Sequence, residues 1–242
     1  MGIIRMGPPS EPILQLKERY KLKDFIETGT FHGSTAVWAA SHFDNVITIE
    51  FSKEIYDQTV AKYGNKIQNI NFLFGDSRSV LKTVVPKLTH PAIFWLDSHW
   101  SGGQTYGKND ECSLIEELRM INLSKYAHFL FIDDARLFMS PPPMPHLIEQ
   151  WPSIDEVIDA LKSGNHEFYI VLFEDVVIAV PEYAKELVAN YCQDINTKAW
   201  EEYGKRLNES AIKQGCRLIV QGMKLVGYDL IVKARRRIHL KK

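Results

Sequence analysis

Cysteine is scarce: Cys112, Cys192 and Cys216 are the three in 242 residues, an odd number without metal-type spacing, which excludes a disulfide framework or a zinc knuckle. They fit small buried hydrophobes in a reducing compartment. An excess of charge is missing too, since 29 Lys and Arg face 30 Asp and Glu for a net charge of -1. That balance argues against a bulk nucleic-acid binder. There is no long apolar run and no secretory leader pattern, so a cytoplasmic protein without stable membrane insertion is expected. With 45% hydrophobic and 24% charged residues, the composition is that of an ordinary globular chain, long enough for one α/β domain with an appendage.

The stretch from Asp24 to Thr35 organises the rest. Phe25 and Ile26 read as a first strand ending at Glu27; Gly29 and Gly33, four apart, make a turn, and a helix opens at Ser34 or Thr35. Glycine lets backbone approach a ligand closely and adopt positive φ cheaply, and the helix beyond it offers unpaired N–H groups. Dinucleotide enzymes use G-x-G-x-x-G here, but Glu27-x-Gly29-x-x-x-Gly33 lacks the middle glycine and carries an acid ahead of it. An acid suits a cationic ligand better than a phosphate, which disfavours a nicotinamide oxidoreductase.

In chain order, Glu11 to Lys21 is expected to be a short helix capped by Ser10. Ser34 to Phe43 and Lys53 to Tyr63 are helices around a strand at Val46 to Ile49. Strands follow at Ile70 to Phe74, Ala92 to Leu96 and Phe129 to Ile132, with helices at Asp110 to Ile121 and Ser153 to Ser163. Phe168 to Phe173 and Val176 to Val180 form an antiparallel hairpin across Glu174-Asp175. Tyr183 to Lys213 reads as largely helical.

Five strand-helix repeats and a hairpin predict a Rossmann-like, doubly wound, mostly parallel seven-stranded sheet with an antiparallel edge strand. Residues 1–182 form the domain and residues 183–242 an extension. Five strands end in an acid: Glu27, Glu50, Asp76, Asp97 and Asp133. Ligands of such sheets bind beyond the carboxyl ends of the strands.

On these residues the chain resembles the class I S-adenosylmethionine-dependent methyltransferases, over about Asp24 to Pro181. The resemblance implies S-adenosylmethionine held by Glu27, Gly29, Thr30, Gly33, Ser34, Glu50, Phe51, Asp76, Ser77 and Asp97. Glu50 would accept from the ribose hydroxyls, and Asp76 with Ser77 would meet the adenine edge. Glu27 would face the amino acid end of the cofactor or orient other groups.

Asp97, Asp133 and Asp134 close neighbouring strands. Three unpaired carboxylates would raise one another's pKa values, and an all-oxygen set suits Mg²⁺, Mn²⁺ or Ca²⁺. The pattern is similar to that of the metal-dependent O-methyltransferases, which implies Mg²⁺ on these three. An internal ion pair with Arg136 is the alternative.

His99 with Asp97 is the candidate catalytic pair, His99 as general base or as a group orienting the loop; Lys108 is a weaker candidate. The polar loop from Ser98 to Gly107 has the make-up of a lid, in which Trp100 and Tyr106 would stack on an acceptor. The branch resembled is that of macrocin O-methyltransferase and the cephalosporin hydroxylase-like proteins, implying a sugar hydroxyl or other small-molecule acceptor. A non-catalytic module binding a nucleotide-like ligand or a partner is the alternative function. In the extension, Arg235 to Arg237 and Lys241-Lys242 make a basic tail, and Leu218, Ile219, Val220, Met223 and Val226 are expected to cover the core or mate two subunits.

Overall fold

The computed structural model describes residues 7–100, 107, 110–207, 213, 215–216, 218–220 and 222–224. Expectations for the interior of the lid, Tyr106, Lys108, Val226 and the basic tail lie outside those residues. Two compact units are present, Met1–Ala189 and Asn190–Lys242. No helix among the described residues is long and apolar enough to cross a membrane.

The first unit is built on one seven-stranded sheet. Its strands are β1 (Asp24–Thr28), β2 (Asn45–Glu50), β3 (Ile70–Phe74), β4 (Ile93–Leu96), β5 (Phe129–Ile132), β6 (Phe168–Phe173) and β7 (Val176–Pro181), in the order β3-β2-β1-β4-β5-β7-β6. The first five are parallel, and β7 runs antiparallel to both β5 and β6. The chain begins in the middle at β1, steps outward to β3 and returns past β1 to β4. The order reverses between β1 and β4, where a parallel sheet opens a crevice.

The central strands β4 and β5 are apolar throughout because both of their faces are covered. Alternation along β1 sends Phe25 and Ile26 to opposite sides. Ile26 joins Phe94, Leu96, Leu130 and Ile132 under α5 (Leu114–Ile121) and α7 (Ile154–Lys162), which contribute Leu114, Leu118, Val157 and Leu161. On the other side Phe25 meets Trp38 of α2 (Ser34–Ala40) at 5.9 Å between ring centroids. Tyr20 of α1 (Ser10–Tyr20) lies 5.4 Å from Phe129.

Three local details differ from the sequence reading. Ser10 is the first residue of α1 and Pro9 its cap, without a side-chain hydrogen bond. A helix, α4 (Ser77–Val84), follows β3 directly, because Asp76 caps it by accepting from Arg78 N at 2.9 Å. The helix expected from Asp110 begins only at Leu114. The residues ahead of it fold back: Cys112 bridges to His99, and Trp100 N donates to Glu111 O at 2.8 Å. Tertiary pairing here outweighs the local helix signal of two acids.

The β1 turn shows why its glycines are there. Gly29 has φ 88°, and a Cβ on it would lie 2.2 Å from the carbonyl oxygen of Asp97. Gly33 has φ 76°, and its Cβ would come 2.9 Å from Thr59 Cγ2 and 3.2 Å from the Tyr63 ring. Both glycines therefore admit the protein's own neighbours, the end of β4 and α3 (Lys53–Tyr63). Gly29→Ala combines a forbidden φ with a backbone clash, so we expect it to destabilise the protein by roughly 2–4 kcal/mol. Chemical denaturation measures this; a loss below about 1 kcal/mol would show that the two strand ends can part cheaply.

Candidate functional site

Because β1 to β5 are parallel, their acids share one rim. In sheet order they run Asp76, Glu50, Glu27, Asp97, Asp133, and two of them, Glu27 and Asp97, end the strands that flank the crevice.

Glu27 is fully enclosed. Thr48, its register partner on β2, donates to Glu27 Oε2 at 2.5 Å, and Thr30 Oγ1 is 2.6 Å from Thr48 Oγ1. Burial dominates over these hydrogen bonds and lifts its pKa to about 8. Glu50 is a loop clamp: one oxygen accepts from Phe31 N and the other from Ser52 N, each at 2.8 Å. Burial still raises its pKa. The Phe51 N–H bears on the same carboxylate, whose two oxygens offer about four acceptor sites in all. Phe31, Phe51 and Phe74 are exposed nearby in the chain, at the turn and the ends of β2 and β3.

Asp76 is engaged. Arg78 grips both of its oxygens, with Nη2 2.6 Å from Oδ2, and also reaches Asp110 at 2.7 Å. The hydrogen bond from Arg78 comes first among the causes that hold the Asp76 pKa low. Ser77 is buried instead of open, with its hydroxyl 3.4 Å from those of Ser98 and Ser113. A carboxylate absent from the sequence reading, Glu117 of α5, ties this floor together. Thr28 Oγ1 donates to it at 3.2 Å, Ser113 Oγ lies 2.9 Å from both Glu117 Oε1 and Ser98 O, and burial lifts its pKa to about 7.

At the ends of β4 and β5 the acids crowd. Desolvation first, then the charges of Asp133, Asp134 and Glu27, push the Asp97 carboxyl well above the usual range. The Trp95 indole N–H, buried without a hydrogen bond of ordinary geometry, offsets a small part of this. Burial and Asp134 raise Asp133 to about 7. Asp134, at φ 58°, differs. Burial alone would raise it, but His99 Nε2 at 2.9 Å from Oδ2 and Arg136 Nη1 at 2.5 Å from Oδ1 hold it below the ordinary value. Arg136 also pairs with Asp175, buried in the β6–β7 turn, and its N–H donates to Asp175 Oδ1 at 3.0 Å.

The expected Mg²⁺ set does not fit this arrangement. Both oxygens of Asp134 are taken, one by His99 and the other by Arg136, which leaves Asp97 and Asp133 alone. Among the described residues no group of three His, Cys, Asp or Glu side chains is arranged to hold a metal ion. The internal ion pair with Arg136 is what forms. His99, likewise, faces a carboxylate on each side, with Nδ1 3.6 Å from Asp97 Oδ1 and its ring buried. Asp134 is an anion and only accepts, so Nε2 of His99 carries the proton. Nε2 of His99 is therefore engaged within the protein, while Nδ1 faces Asp97 beyond hydrogen-bond distance.

A second cluster, unforeseen from sequence, packs beside the first. His99 and Trp151 rings are 5.3 Å apart, and His146 lies 5.2 Å from both Trp151 and Trp100. Beneath them Glu111 is buried, accepting from His146 Nδ1 at 2.9 Å, Trp151 Nε1 at 2.6 Å and Leu147 N at 3.2 Å. Burial opposes its charge, but these donors hold its pKa below the ordinary value. Nothing local marks Glu111; its role depends on a loop 35 residues away.

Sheet order and crevice define a class I methyltransferase fold. No protein-family model and no curated protein sequence matches the chain. Solved structures do. The O-methyltransferase from Bacillus cereus in complex with SAH is 14% identical, over 74% of this chain and 83% of that one, with a TM-score of 0.51. The SAH-bound methyltransferase PaMTH1 from Podospora anserina is 17% identical, over 73% and 80%, with a TM-score of 0.50. Likeness at this level of identity establishes the fold.

Glu27 gives a pH test. Folded, it keeps its proton up to about pH 8, whereas the unfolded chain releases it near 4.5. The folded state thus binds the extra proton, and stability falls as pH rises between those values. Glu27→Gln removes this slope, so the wild-type minus variant difference should decline by about 2–4 kcal/mol from pH 5 to pH 8. Denaturation midpoints across that range measure it; a flat difference would mean that Glu27 is ionised in the fold.

Proposed function

We propose that this chain is an S-adenosylmethionine-dependent O-methyltransferase acting on a small hydroxylated acceptor. The observation that carries the reading is the row of acids at the carboxyl ends of five parallel strands, centred on a glycine turn at the crevice. Bound there, S-adenosylmethionine supplies a methyl carbon on a sulfonium. Glu27, Gly29, Thr30, Gly33 and Ser34 would line its amino acid end, where a buried carboxyl is positioned to ionise against a positive charge. Glu50 would take the ribose hydroxyls, with Phe51 against the base. Asp76 acts through Arg78 and, with Ser77, borders the adenine side.

Asp97 and His99 form the floor on which the acceptor meets the methyl group. Most of the rate in such a displacement comes from holding the acceptor oxygen on the axis of the departing bond. With both oxygens of Asp134 accepting from His99 and Arg136, the aspartate group acts as an electrostatic floor, and no metal step is needed. The near-zero net charge of the chain suits a small neutral acceptor better than a nucleic acid, and the exposed apolar residues Leu218, Ile219, Val220 and Met223 are a candidate self-association surface.

Calorimetry with S-adenosylmethionine tests the reading directly: binding is expected with and without chelator, and its absence under both conditions would overturn the proposal. Glu50→Ala should weaken that binding by roughly 1–3 kcal/mol; unchanged affinity would remove Glu50 from the ribose. Methyl transfer indifferent to chelator is expected, while loss on chelation and recovery with Mg²⁺ would restore the metal role of Asp97, Asp133 and Asp134.

A further inference from the structure

The two histidines packed against Trp151, His99 and His146, are built differently. His99 has a carboxylate at each ring nitrogen. His146 has one partner, Glu111, at Nδ1, and no described residue pairs with its Nε2. Glu111 is anionic and can only accept, so Nδ1 of His146 carries a proton, and in the neutral ring Nε2 presents a lone pair. The carboxylate is fixed in turn by Trp151 Nε1 and Leu147 N. This is the arrangement of a base oriented by a third group.

A second observation points to what that lone pair meets. The indole N–H of Trp100, whose ring is 5.2 Å from that of His146, is buried with no hydrogen-bond partner. A buried donor left unmet is costly. An unmet donor and an unmet acceptor on adjacent rings are together what one hydroxyl group satisfies, accepting from the indole and donating to the imidazole. Trp100 and Trp151, both nearly buried, are the rings packed against His146, and aromatic neighbours of this kind suit a sugar or phenolic ring carrying that hydroxyl.

We propose that His146, positioned by Glu111, is the catalytic base of this site, and that Trp100 Nε1 and His146 Nε2 together seat the acceptor hydroxyl. The inference rests on the methyltransferase reading above. In the step it describes, the hydroxyl oxygen forms the new O–C bond, the electron pair of the breaking C–S bond stays on sulfur, and the hydroxyl proton passes to His146 Nε2. The positive charge leaves the sulfonium and appears on the imidazolium, where Glu111 balances it. His99 is left as the tie that holds Asp134 and Asp97.

The test uses the full chain saturated with S-adenosylhomocysteine, and first asks which histidine is open. Diethyl pyrocarbonate, which attacks an unprotonated imidazole nitrogen, should modify His146 at least about tenfold faster than His99, read by peptide mass. Nitrogen-15 spectra should show His146 as the Nδ1–H tautomer, and Glu111→Ala should abolish that preference. Turnover is followed with catechol and with methyl glucoside as probe acceptors. His146→Gln should lower kcat by about 100-fold or more with S-adenosylmethionine affinity unchanged, and imidazole should restore part of the activity of His146→Gly. Turnover of His146→Gln within threefold of wild type overturns the proposal. So does His146 reacting no faster than His99, a result that counts even if neither probe is methylated. Loss of cofactor binding by the wild-type chain would instead remove the earlier reading.

Discussion

Everything at this site follows from one electrostatic constraint: parallel strands bring several carboxyl groups to a common edge, and a low-dielectric surrounding makes each unpaired charge expensive. The protein answers it in three ways. Glu27 and Glu117 are placed where burial keeps the proton on up to about pH 8 and 7 respectively. Asp134 keeps its charge between His99 and Arg136, and Arg136 pairs with Asp175 as well. Glu50 spends its oxygens on the backbone N–H groups of two loops.

These solutions are linked to the fold's topology. Arg136 follows β5, while its second partner Asp175 sits in the turn between β6 and β7. The antiparallel hairpin therefore supplies a counter-charge to the end of β5 as well as filling the sheet edge. The glycine at the end of β1 serves the same assembly, since only a residue without Cβ lets the Asp97 carbonyl settle against it. A change at Gly29 would move Asp97, and with it the contact to His99.

Much of the fold can be read from the chain because the signals are local and redundant. Short apolar runs such as Phe129–Ile132 permit one reading when bounded by turns, and hairpin spacing across Glu174-Asp175 forbids a crossover. The helix expected from Asp110 shows the limit. Its two acids carry a true helix-start pattern, yet Glu111 is claimed by His146, Trp151 and Leu147, groups that sequence distance hides. The aspartates show the same limit at the site: residue types compatible with a metal are equally compatible with an Arg–His clamp, and only the direction of the side chains separates the two.

The sequence by itself determined the strand order's raw material, the glycine turn and the acids that end five strands, because period and spacing are written along the chain. The tertiary structure decided which acids are charged, what each histidine pairs with and where Glu111 goes. Those outcomes depend on burial and on partners dozens of residues away, and neither is a property of a local stretch.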